Sequence, residues 1–214
     1  MKWLDIFKRA VGAGVAIGIG ATVYISCDNK VVGAVMFAVG LFCICAFGLN
    51  LFTGKIGYII DNKNDPECFT IWFGNLVGIV ATSALVRIAK PQMVDVAAKM
   101  VEKKLALSLP QAFILGIFCG MLMYLAVDNY KNFDGTFGKC LGILLCVPTF
   151  ILCGFEHSIA DMSYFTFGIT SADQLLDSFI FIAVVSVANG IGALIIKFLA
   201  KPIVKNHKKH NPVE

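Results

Sequence analysis

Charge is what this chain has least of. Only 15% of its 214 residues are Asp, Glu, Lys or Arg, against about 25% in an ordinary soluble domain. That shortage excludes a normally solvated surface. The short signatures of cofactor and metal chemistry are missing too. No CxxC or HExxH spacing occurs, and no GxGxxG opens a helix after a strand. Cys43-x-Cys45 points to two faces of a helix and is a poor metal clamp. The eight cysteines mostly fall inside apolar runs and read as small hydrophobes. Neither cofactor nor metal is expected. No Asn-Pro-Ala pair is present, which argues against a water or glycerol channel. Ser158 adjoins His157, but helix neighbours point apart, so no nucleophile–base pair forms and no enzyme is expected.

What remains is long and apolar. Uncharged runs cover Ala10–Cys27, Val31–Gly54, Cys68–Val86, Leu105–Val127 and Ser178–Ile196. Each is long enough for a bilayer-spanning helix. A sixth, interrupted span surrounds His157. The first run lacks a small-residue cleavage site before a polar chain, so it reads as a span and not a signal peptide. Six spans put both termini on one side. That side collects twelve Lys and Arg, from Lys2, Lys8 and Arg9 to the tail; the other collects six, Lys30, Arg87, Lys90, Lys99, Lys103 and Lys104. The excess predicts cytoplasmic termini and an inner (cytoplasmic) membrane location. One transmembrane domain, 1–200, is followed by a basic cytoplasmic tail, 201–214. The tail suits anionic lipid headgroups, not nucleic acid.

His157 is the outlier. The sixteen residues before Glu156, Cys140 to Phe155, carry no charge, and neither do the eleven after Asp161. An ionisable side chain at membrane depth marks a substrate or proton pathway. The chain also reads as built twice, over about 8–90 and 105–200. Ala10, Gly14 and Gly18 match Ala112, Gly116 and Gly120 at an offset of 102. Gly74-Asn75-Leu76-Val77-Gly78 matches Ala188-Asn189-Gly190-Ile191-Gly192 at 114. Three spans per half invert the second copy, an architecture that puts sites between broken helices at the midplane. The middle span of each half is expected to break, at Leu51–Lys55 and at Glu156–Ser158. Irregular backbone at that depth must line a cavity or be buried in protein.

The segment Gly154-Phe155-Glu156-His157-Ser158-Ile159-Ala160-Asp161-Met162 resembles the signature of the formate/nitrite transporter family, whose usual form ends Ala-Asn-Met. Leu51-Phe52-Thr53 resembles that family's loop in helix two, and Phe73 to Gly78 its third helix. The resemblance implies an all-α polytopic membrane protein: six transmembrane helices in an inverted three-plus-three repeat, helices two and five broken, aquaporin-like. It implies a homopentamer in the lipid bilayer, one pore per protomer, passing formate, nitrite or hydrosulfide. His157 then becomes the pore histidine and Thr53 its polar loop partner. Leu41, Leu51 and Phe52 fit a cytoplasmic constriction, and Phe37 and Phe150 an outer one. Lys104 falls in the outer vestibule. Asn75 and Asn189 support the broken helices. Gly120 stands where many members have an Asn facing the histidine, and Met123 occupies a nearby position that is often smaller. Asp161 replaces the usual Asn.

A bare anion crossing apolar rings loses hydration, at a cost of several kcal/mol or more. A basic vestibule offsets part of this. Two routes stay open: the anion takes a proton at or near His157, or His157 only donates a hydrogen bond while water supplies the proton. Glu156 has either a proton role or a loop-tying role. A proton-coupled symporter for acetate or lactate and a neutral-solute channel are the alternatives to an anion channel.

Overall fold

The computed structural model describes residues 2–60 and 67–200, so Lys63 and the basic tail 201–214 lie outside the described residues. Among the described residues all regular elements are helical. They are α1 (Lys2–Ser26), α2 (Lys30–Ala46), α3 (Phe52–Lys55) with a 3-10 turn (Ile56–Tyr58), α4 (Glu67–Ala89), α5 (Met93–Leu105), α6 (Leu109–Asn132), α7 (Thr136–Leu152), α8 (Ser158–Gly168) and α9 (Ala172–Ala200). Four of them, α1, α4, α6 and α9, are long and apolar enough to cross a membrane. The chain is a multi-pass membrane protein. At 17 residues, α2 and α7 reach roughly 26 Å, short of a hydrocarbon core of about 30 Å. Each is followed by a break and a short helix.

α1 packs chiefly on α4 and α6 on α9; α2 packs chiefly on α1 and α7 on α6, and α2 and α7 also meet each other. The contacts are close because small residues face backbone. A Cβ on Gly14 would lie 2.2 Å from the Asn75 carbonyl oxygen; one on Gly120 would lie 2.1 Å from that of Asn189. No larger residue fits either place. In membranes such van der Waals proximity drives helix association, since lipid is as apolar as leucine.

These two contacts are copies of each other. Asn75 Nδ2 donates to the Ala10 and Asn50 carbonyls (2.8 and 2.9 Å), and its Oδ1 accepts from Phe52 N–H (2.9 Å). Asn189 Nδ2 donates to the Gly116 and Glu156 carbonyls (2.8 Å each), and its Oδ1 accepts from Ser158 N–H (3.0 Å). Ala10 and Gly116, Asn50 and Glu156, and Phe52 and Ser158 are each 106 residues apart. The expected offset of 102 is therefore one helical turn short. Small residues recur every fourth position in both helices, so the sequence pattern leaves that turn ambiguous. The 114 offset of the asparagines is the right one for α4 and α9.

The helix ends repeat as well. Gly48 (φ 63°) and Gly154 (φ 67°) stop α2 and α7. The next N–H groups, Leu49 and Phe155, donate back to Ile44 and Phe150 at 2.9 Å. This left-handed glycine cap ends a helix sharply. It also corrects the first break. The expected helix to Asn50 ends at Ala46, and Phe52–Lys55, expected as loop, is helical. α5 lies between the third and fourth uncharged runs, in a stretch outside the six expected spans. Its buried Met93, Ala97 and Val101 form a stripe at four-residue spacing, which lays the helix against α8.

Candidate functional site

His157 is the N-cap of α8, and its Nδ1 accepts from Ala160 N–H at 3.0 Å. The cap holds one of the N–H groups that every helix start leaves unbonded. With Nδ1 an acceptor, the neutral ring carries its proton on Nε2. That proton points at Thr53 Oγ1, 2.8 Å away. His157 and Thr53 are 1% and 0% exposed. Thr53 comes from α3 and His157 from the cap of α8, so the two breaks meet in this one bond. The Thr53 hydroxyl, accepting from His157, keeps its own proton to offer.

The walls are apolar. The Phe150 ring stacks on His157, with centroids 5.4 Å apart, and meets Phe37 edge-on at 5.9 Å. Phe37, Leu41, Leu51, Phe52, Met123 and Phe150 are all buried and belong to one core cluster. Two cavities flank the bond. One of about 440 Å³ is lined by His157, Phe150, Asp161 and the lysines 30, 99, 103 and 104. The other, about 90 Å³, is lined by Leu51, Gly54, Val127, Lys55 and Lys131.

Two expected roles need correction. Gly120 does not face His157: its side-chain direction runs into the α9 backbone, as the 2.1 Å approach to Asn189 requires. It is a packing glycine. Lys104 does line the large cavity, but its charge is taken. Its ammonium pairs with Glu156 and, at 2.8 Å, with Asp161 Oδ1. Burial alone lowers its proton affinity, but Asp161 and then Glu156 more than offset that, so its pKa stands above the ordinary lysine value. The exposed Lys30, Lys99 and Lys103 are left to make the rim basic.

A polar cluster at the small cavity escaped the sequence reading. The Lys131 ammonium sits 3.8 Å from the Tyr58 ring centroid, and Tyr58 donates to Asp128 Oδ1 at 2.8 Å. Buried Lys197 donates to the Gly57 carbonyl at 2.8 Å. Lys197 was readable as a charge closing the apolar run of α9. Among the described residues, no three His, Cys, Asp or Glu gather as a metal site.

The family model for formate/nitrite transporters matches residues 1–201. The chain is similar to the formate channel FocA of Escherichia coli K12, with 27% identity over 194 residues, covering 79% of this chain and 68% of that one. It is similar to the nitrite transporter NirC of Salmonella typhimurium, 30% identical over 183 residues, covering 76% and 67%. Among solved structures, a pentameric formate channel with formate bound shares the fold at a TM-score of 0.76 and 21% identity, over 94% of this chain and 96% of that one. With the match running through both halves and both breaks, this chain belongs to the formate/nitrite transporter family.

Proposed function

We propose that the chain passes small monovalent weak-acid anions, of the class of formate, nitrite or hydrosulfide, across the inner membrane. The observation that carries this reading is the buried Thr53–His157 bond between two cavities with basic rims. Lysines concentrate anions at each mouth. The apolar walls of Phe37, Leu41, Leu51, Phe52, Met123 and Phe150 reject hydrated ions. At the narrow point the Thr53 hydroxyl, held by His157, offers a donor in place of water. Relatives named for formate and nitrite support the anion class, and the pentameric neighbour supports a homopentamer with one pathway per protomer. Three spans in each half then run in opposite senses, with both termini cytoplasmic.

The test is flux in proteoliposomes, using a panel of formate, nitrite, hydrosulfide, acetate and lactate. His157→Phe is expected to cut flux of the preferred anion by about 100-fold, comparable to removing one well-placed donor at a buried site. The oligomer should survive in size-exclusion chromatography. Unchanged flux sinks the histidine role. A preference for acetate or lactate with strict proton dependence moves the reading to symport.

A further inference from the structure

We propose that Asp161 is the proton-loading group of this pathway. The inference rests on the anion reading above and names the proton donor within it. His157 is a poor donor. Its Nδ1 is held by Ala160 N–H, and its Nε2 proton is committed to Thr53. Adding a proton at Nδ1 breaks the cap; giving up the one on Nε2 leaves an imidazolate.

The neighbouring triad is different. Lys104 carries one positive charge, while Glu156 and Asp161 carry two carboxyls, all inside the protein. One ammonium neutralises one carboxylate. The second, if ionised, leaves a net negative charge on the wall of an anion pathway. Like carboxylates sharing a site resist double ionisation. The geometry agrees. Asp161 Oδ1 meets Lys104, whereas its buried Oδ2 has no hydrogen-bond partner. The Asp161 and Glu156 carboxyls both close on the one Lys104 ammonium, which puts two like charges at one site. Asp161 also lines the large cavity together with His157. The groups around it are Lys104 from α5, Glu156 from the break, His157 and Tyr164 on α8, Tyr24 from α1 and Cys119 from α6. Among these, the second carboxyl is the one with a proton to lend. In the motif that this segment resembles, position 161 is Asn, whose carboxamide has no acidic proton to lend.

The step balances simply. The Asp161 O–H bond breaks, its proton bonds to the anion, and the neutral acid passes Phe150 and His157. Asp161 is left as carboxylate, paired with Lys104, until cavity water returns a proton. The acid dissociates in the far cavity, so one anion and one proton cross together.

Two readouts test this. The first is infrared difference spectroscopy of wild type against Asp161→Asn at neutral pH. A protonated-carboxyl C=O band in wild type, lost in the variant, is expected; no such band overturns the proposal whether or not anions pass. The second is lumenal acidification with formate uptake in liposomes. Asp161→Asn is expected to lower protons moved per unit time by about 100-fold, the usual worth of a general acid, and to flatten the pH profile. A merely structural Asp161 leaves both unmoved, because the carboxamide still accepts from Lys104. Should Asp161→Asn fail to assemble, Glu156→Gln serves: one acid then faces one lysine, and wild-type coupling in that variant overturns the proposal. Wild type with no anion flux defeats the functional reading; wild-type flux with unaltered Asp161→Asn defeats only this one.

Discussion

The two helix breaks share a backbone and differ in chemistry. Both follow a left-handed glycine, and both are held by an asparagine from the third span of their half. Yet Asn50 stands where the second break has Glu156, and Leu51 stands where it has His157. Leu51 caps α3 with no side-chain bond, whereas His157 caps α8 through Nδ1. The same split recurs deeper in. Ser83 of the first half bonds Ser163 of the second at 2.7 Å, and at the matching place Lys197 of the second half bonds the Gly57 carbonyl of the first. The scaffold is present in duplicate, whereas the capping histidine and its neighbour Glu156 belong to the second copy alone.

The largest expected effect tests the shared scaffold. Asn189→Ala leaves the Ser158 N–H and the Glu156 carbonyl without their bonds and strips the Gly116 carbonyl of a second one, for a loss of about 3 kcal/mol or more. Asn75→Ala should do nearly the same. Thermal unfolding in detergent measures both, and a harmless Asn75→Ala breaks the equivalence. Next come Gly14→Ala and Gly120→Ala, expected to destabilise by about 3 kcal/mol each because the added methyl meets backbone. If Gly120→Ala leaves stability intact and alters flux alone, the position belongs to the pathway after all. The smallest effect separates the two mouths. Lys131→Gln and Lys103→Gln should each slow formate uptake a few-fold in low salt and little above about 0.1 M, where charges beyond about 10 Å are screened. A salt-independent loss points to packing over Tyr58 as the role of Lys131.

Much of this was readable from residues. A histidine between uncharged runs drew attention to its segment, the family resemblance paired it with Thr53, and the two side chains do meet in the structure. The asparagines were found because small-Asn-x-x-Gly recurs. What stayed hidden has specific causes. The repeat register slipped by a turn because glycine and alanine repeat every turn. The first break was placed late because Gly48 and Gly54 look alike in sequence, and only Gly48 takes a positive φ. α5 was missed because its apolar stripe is three residues among charges. The pairing of Lys104 with Glu156 and Asp161 spans 52 residues and more and leaves no local trace.

Each asparagine staple joins three pieces of chain: a long helix, the end of a break and the start of a short helix. A short helix cannot slide without parting several buried bonds together. The meeting point of Thr53 and His157 is thus fixed, like a stop in a lens; on the pathway proposed above, any shutter would have to be side-chain rotation at rings such as Phe37 and Phe150.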